Sequence, residues 1–292
     1  MKKKYKEIQF DRNSSDFQFD IIDFQDLLKR KPADHSQFEF HKVTFYVILL
    51  ITEGSGKYNH NFIDYSYKKG SLFSVRKDNI HKFYKSNAKG SLLIFNDDFI
   101  LNHSNELDAS NTFLLFNEML ASPKLELKKN ELEEVLNFIK SIKEEFHIIS
   151  DNYSPYIVRS LLQIVTTKLL RIKSKNNEQL RSKHYLSQFL EFQILVERHC
   201  AEHKKVSFYA QQMGLSTKTL SNITLSIIDK AAKAFIIEIV ILHSKRLIIN
   251  STDSLTEIAY QMGFDEPTNF FKYFKRYTTL SPRQFREKHQ KT

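Results

Sequence analysis

Ile258-Ala-Tyr-Gln-Met-Gly-Phe-Asp-Glu-Pro-Thr-Asn-Phe-Phe-Lys-Tyr-Phe-Lys-Arg-Tyr277 is the stretch whose reading decides the fold of the C-terminal part of this chain. A short helical pattern stops at Gly263 and a second one starts at Pro267. Glycine just past a helix takes the left-handed conformation without a Cβ clash. Proline suits the first helical position, where its missing N–H has no partner to lose. The spacing therefore predicts two helices joined by a tight turn. In the second helix Phe270, Tyr273, Phe274 and Tyr277 recur at i, i+3, i+4 and i+7 and form a core stripe. Thr268, Lys272, Lys275 and Arg276 fall largely outside it, which leaves a charged face for an acidic partner. Phe271 belongs to neither set.

The same pattern occurs earlier. Val206-Ser-Phe-Tyr-Ala-Gln-Gln-Met-Gly-Leu215 aligns with Leu255-Thr-Glu-Ile-Ala-Tyr-Gln-Met-Gly-Phe264, matching Ala210 to Ala259, Gln212 to Gln261 and Leu215 to Phe264. Helix, tight turn, second helix is the helix-turn-helix pattern. Ser216 is the N-cap expected in the first copy, and Asp265 or Glu266 in the second. Ser254-Leu-Thr-Glu257 reads as a capping box, and Ser281-Pro-Arg-Gln284 caps one further helix. The second copy thus carries the stronger capping signals. Between the copies, Ala231–Ile249 reads as one long helix able to brace both, with Ile236, Ile239, Val240 and Leu247 at helical spacing.

The N-terminal half has a different period. From Phe38 to Phe99 short β-branched and aromatic runs alternate with turn signals. Val43–Thr52, Lys57–Tyr67, Ser71–Val75 and Ser91–Phe95 read as strands, with Glu53–Gly56, Lys68–Gly70 and Arg76–Asn79 as turns. This pattern predicts a small sandwich or barrel. From about residue 105 the period becomes helical. Helices are expected over Asn130–Phe146 and Ser154–Ile172, the latter with Ser154 as N-cap and Pro155 at N1. Apolar residues on this last helix, Ile157 and Ile164 among them, cover more than one face. That fits packing on the barrel and a dimer seam equally. Lys173–Gln179 has almost no apolar content and reads as a linker, with His184 opening the next unit. The expected fold class is α+β multidomain: residues 1–175 a barrel with helices, 176–183 a linker, 184–292 all-α.

Composition narrows the function. The chain has 292 residues, 41% of them apolar, and a net charge of +10. Such an excess suits nucleic acid or another acidic partner, although surface charge also serves solubility alone. No apolar run approaches the roughly 18 residues that a membrane span needs. The basic N-terminus Met-Lys-Lys-Lys is followed by no apolar segment of the signal-peptide type. One cysteine, Cys200, excludes an internal disulfide and a cysteine metal cage, and a cytoplasmic location is expected. His199 and His203 have metal-ligand spacing on a helix, but no third ligand is evident. No phosphate loop, nucleophile elbow or carboxylate pair stands out, so neither catalysis nor a cofactor is expected.

Ser254–Phe264, Asn269–Thr278 and Leu280–Arg286 together resemble the signature of the AraC family of bacterial transcription regulators, a resemblance extending over about Tyr185 to Lys288. The N-terminal half is similar, less sharply, to that family's cupin-like sensing domain, through Phe45–Gly56, Lys69–Phe73 and Asn79–Lys82. The resemblance implies a DNA-binding regulator whose two helix-turn-helix units sit in successive major grooves of double-stranded promoter DNA. It further implies a homodimer, RNA polymerase as a partner, and a small-molecule effector held in the barrel. In the second unit the base-reading positions correspond to Thr268 and Lys272, with Lys275, Arg276 and Arg283 at phosphate or surface positions. In the first unit they correspond to Lys218, Ser221 and Asn222. His81 is the effector-binding candidate. His41, His60 and His81 lack the His-X-His pattern of metal cupins, so no metal is expected. The chain departs from the family at Asn222, usually arginine, at Leu225, usually lysine, at Asp229 and Thr279, usually glycine, and at Ala231, usually serine. The first unit is therefore expected to contribute less electrostatic affinity. A second reading is a protein-interaction regulator that binds DNA weakly through an impaired first unit.

Overall fold

The computed structural model describes residues 7–8, 18–30, 36–96, 98–99, 114–117, 122–149, 151–175 and 183–290. Two compact units lie within Lys6–Asn177 and within Glu178–Thr292.

The N-terminal unit contains β1 (Glu7–Ile8), β2 (Phe19–Asp23), α1 (Phe24–Lys29), β3 (His41–Val43), β4 (Tyr46–Glu53), β5 (Ser55–His60), β6 (Ile63–Lys68), β7 (Ser71–Val75), β8 (Ile80–Phe83), β9 (Lys89–Phe95) and β10 (Lys124–Glu126). Helices α2 (Lys129–Glu144) and α3 (Ser154–Lys175) follow, separated by a π-helical turn at Glu145–Ile149. The strands form two five-stranded sheets, ordered β1-β3-β8-β5-β6 and β10-β7-β4-β9-β2. Only β1 and β3 pair in parallel among the described strands.

Strand β4 shows why the unit has two cores. Side chains alternate across a strand. Val47, Leu49 and Ile51 enter the core between the sheets with Tyr58, Phe73 and Phe83. Tyr46, Ile48 and Leu50 enter a second core under α2 and α3, against Val135, Ile139, Val158 and Leu162. A strand covered on both faces reads as a continuous apolar run, as β4 does.

Several expectations need correction. Lys57–Tyr67 is a hairpin, not one strand: Asn59 pairs with Asp64 and His60 with Ile63. Asn61 and Phe62 make its turn at φ 47° and 68°. Two consecutive positive φ values match the right-handed twist of a hairpin, and Asn-Gly is the usual signal. Phe62 hides that signal; its ring packs 5.5 Å from that of Phe40. Ser154 is not the cap of α3. Its hydroxyl donates to Glu145 at 2.7 Å and accepts from the Asp151 N–H. Asp151 Oδ1 instead accepts the N–H groups of Tyr153 and Ser154. Lys173–Lys175 belong to α3, not to a linker, and the Lys173 ammonium is buried on the Leu115 carbonyl at 2.7 Å. Residues 176–182, and the change of period near 105, lie outside the described residues.

The C-terminal unit is built from α4 (Lys183–His199), α5 (Val206–Gln212), α6 (Thr217–Ile228), α7 (Ala232–Asn250), α8 (Leu255–Gln261), α9 (Pro267–Thr278) and α10 (Pro282–Gln290). Helix α7 packs against every other helix of the unit. Its Phe235 meets Phe189 and Phe192 of α4, each at 5.3 Å between ring centroids. Phe192 also meets Tyr209 of α5 at 5.7 Å. On α9, Phe270 and Phe274 are fully buried; an alanine at either would cost roughly 3–5 kcal/mol. Tyr277 is a correction. It is exposed, because the stripe runs past the edge of the core, and its ring meets Tyr273 and the Arg276 guanidinium. Phe271 is half-buried beside Phe270.

Candidate nucleic-acid interface

The two copies close in the same way. Leu215 N–H donates to Ala210 O and Phe264 N–H to Ala259 O, each across five residues. Gly214 and Gly263 have φ 64° and 67°. This is the Schellman ending, in which a left-handed residue brings an apolar side chain back onto the helix. In the second copy that side chain is Phe264, 5.4 Å from both Phe270 and Tyr273. Burial holds the Tyr273 phenol above its ordinary pKa, so it stays neutral.

Each copy therefore presents a second helix on a short, closed turn. The Ser254–Glu257 box is reciprocal, at 3.1 and 2.7 Å, and so is Ser281–Gln284, at 3.2 and 2.9 Å. At the two presented helices the capping order is the reverse of the expectation. Ser216 Oγ accepts the Thr219 N–H at 3.0 Å, whereas Glu266 caps α9 by position only. Pro267 at N1 has already removed one donor that would need a cap.

On α9, Thr268, Lys272, Lys275 and Arg276 are all exposed. Lys272, Lys275 and Arg276 have no carboxylate partner among the described residues. Asn269 is exposed as well and shares the face of Lys272, one turn away. Sequence reading passed over it because it precedes the aromatic run. Arg283 lies on α10 and is exposed, with Nε on Glu287 at 3.0 Å, a surface pair of little net energy. On α6, Lys218 and Asn222 are exposed and Ser221 is half-buried. Lys218 is the single cation of that helix, and Leu225 is 47% exposed where a long cation would sit. Asp229 and Thr279 end α6 and α9 at φ 53° and 66°, the left-handed position that favours glycine.

Residues 209–288 match the family model of a helix-turn-helix domain, and residues 27–94 match that of the AraC-like ligand binding domain. The two matched stretches are distinct, and together they span about half of the chain. The chain belongs to the AraC family of transcription regulators. The HTH-type transcriptional activator RhaS of Klebsiella pneumoniae is 23% identical over 254 residues, 86% of this chain and 88% of its own length. The regulator ExsA of Pseudomonas aeruginosa is 26% identical over 95 residues, 32% of this chain and 34% of its own. Among solved structures, ToxT from Vibrio cholerae with a bound unsaturated fatty acid aligns with a TM-score of 0.43 and 18% identity, covering 92% of this chain and 94% of that chain. A DNA-binding helix-turn-helix domain thus accompanies an N-terminal ligand-binding domain, and the reading as a protein-interaction regulator with weak DNA binding is not favoured.

In the AraC-like ligand-binding unit, His81 stands in register with His41 and His60 across β3, β8 and β5. All three are buried, and the rings of His41 and His81 are 4.2 Å apart. Tyr58 and Phe83 pack around His81 at 5.7 and 5.6 Å. His81 thus sits in packed aromatic surroundings. A cleft of about 250 Å³ lies elsewhere, lined by Gln25, Leu28, Lys29, Phe38, Lys85 and Asn87 among others. Among the described residues no group of three or more His, Cys, Asp or Glu is placed to hold a metal, and His203 stacks on Phe208 at 3.7 Å. No described helix is long and apolar enough to cross a membrane.

Proposed function

We propose that this regulator binds promoter DNA through both helix-turn-helix units, with α9 as the dominant reader. The supporting observation is the exposed face of α9, whose cations have no carboxylate partner among the described residues. Thr268 and Lys272 read base edges there, and Asn269 adds an amide to the same face. Lys275, Arg276 and Arg283 meet phosphates, which orient the protein without reading sequence. Lys218, Ser221 and Asn222 form the reading face of the first unit, where a single cation supplies little counterion release. The boundaries are those read above: a sensing and dimerising part over 1–175, a linker over 176–183 and the DNA-binding part over 184–292. The protein acts in the cytoplasm and contacts RNA polymerase at its promoters. Selection from a random duplex pool with the full chain tests this. The expected result is a two-box site bound at least ~10³-fold tighter than random DNA at moderate salt. Recovery of no sequence preference would sink the reading.

The effector reading rests on the N-terminal unit. Tyr58, Phe73 and Phe83 fill the space between the sheets, each no more than 3% exposed. The cleft beside α1 is the better place for a ligand, and Lys29 and Lys85, exposed and without an ion pair among the described residues, favour an anionic one. The homodimer uses α3. Val158, Leu162 and Val165 face the core, while Tyr153, Tyr156, Ile157 and Ile164 are 71%, 55%, 42% and 41% exposed. Exposed apolar side chains on the side of a helix away from its core favour an interface there. Two measurements test these readings. Sedimentation of the full chain is expected to show a dimer that Ile157→Glu dissociates. A screen of small organic anions is expected to find one that changes DNA affinity, an effect lost in Lys29→Ala/Lys85→Ala.

A further inference from the structure

Helix α7 is not the only connection between the two helix-turn-helix units. Lys204 lies in the turn between α4 and α5, ahead of the first unit. Its half-buried ammonium donates to Ala201 O at 2.7 Å, to Met262 O at 2.6 Å and to Gly263 O at 3.4 Å. It also stands 4.6 Å over the ring of Phe264. Met262, Gly263 and Phe264 are the turn of the second unit. The approach is backbone to backbone as well, because a Cβ on Gly263 would lie 2.1 Å from Ala201 O. The other side of the connection belongs to the first unit, where the Tyr209 hydroxyl of α5 donates to His203 O at 2.5 Å. At the first unit's turn, by contrast, a Cβ on Gly214 would meet nothing within 4 Å.

These contacts close a ring. Helix α7 packs against the helices of both units, and the chain leaves it through the non-helical residues 251–254. Arg286 secures that joint through Ile248 O and Asp253 O but reaches no part of the first unit in those bonds. Lys204 supplies the second point of attachment. A partly buried ammonium needs its hydrogen bonds, so the clasp holds three carbonyls in one geometry.

We propose that Lys204 is a positioning residue for DNA binding, fixing how α9 is presented relative to α6 so that the protein accepts two half-sites at one spacing. The inference rests on the two-unit reading above. One base pair of spacer rotates the second box by about 35° around the duplex, since a turn takes about 10–10.5 base pairs. A clasped pair cannot follow that rotation, and an unclasped pair can.

The test uses the two-box site selected by the wild-type full chain and versions of it with one base pair added or removed between the boxes. The wild type is expected to lose at least tenfold affinity on either change. Lys204→Met is expected to bind the selected site about tenfold more weakly and to distinguish the three spacers by less than threefold. Lys204→Gln, shorter but polar, is expected to behave the same way. The proposal is overturned if both variants lose the same factor on every spacer, since Lys204 would then act through charge or stability alone. It is equally overturned if spacer discrimination is unchanged, or if neither variant folds. A wild type that selects a single box removes the two-unit reading itself and the proposal with it, before any variant is made.

Discussion

Lys272→Ala is expected to weaken binding to the selected site by about 1–3 kcal/mol, roughly five- to 150-fold, and to relax one base position. Lys272 is exposed at the centre of the α9 face, between Thr268 and Arg276. A lysine ammonium there can donate to guanine O6 and N7, and its loss removes sequence discrimination together with affinity. Equal losses on specific and random duplexes would make Lys272 a phosphate anchor, recognisable by a salt slope reduced by about one. The contrast comes from the first unit. Asn222→Arg adds a cation to a helix whose one cation is Lys218. It is expected to raise affinity mainly nonspecifically, through the added positive charge on a helix that has little. A gain confined to one base pair would show instead that α6 reads its groove as closely as α9.

The parts legible in the sequence were those specified locally. Glycine at a helix end, proline at N1 and a serine–glutamate box each act within four residues, so both helix-turn-helix units could be placed from Ile258–Tyr277 and its earlier copy. The continuous apolar run of β4 was readable for the same reason. What could not be read depends on contacts far apart in the chain. The Asn61–Phe62 turn is stabilised against Phe40 and has no glycine to announce it. Ser154 gives up its expected cap because Glu145 reaches it across a π-helical turn. Lys173 reads as linker until the Leu115 carbonyl is placed beside it. Tyr277 falls on the helical stripe yet outside the core, since periodicity gives a direction and not the distance to which the core extends. On the exposed face of α9 proposed to meet DNA, Asn269 stands beside Lys272, although the aromatic run had drawn attention to the other face.

The two glycines that revealed the repeat are expected to respond differently to the same substitution. Gly214 and Gly263 occupy the same place in Gln-Met-Gly and nearly the same φ, 64° and 67°. Gly214→Ala meets open space, so only the left-handed backbone opposes it, at about 1–2 kcal/mol. Gly263→Ala bears the same cost and also drives a methyl to 2.1 Å from Ala201 O, a backbone atom that a side-chain rotation cannot clear. Overpacking of that kind adds about 1–3 kcal/mol. Asparagine separates the two effects, because it tolerates the left-handed conformation but still carries a Cβ. Gly214→Asn should therefore be nearly neutral, while Gly263→Asn should remain destabilised by about 1–3 kcal/mol in urea unfolding of the full chain. If the two asparagine variants unfold at the same urea concentration, the turn of the second unit does not press against residues 201–204, and the clasp at Lys204 loses its geometric basis.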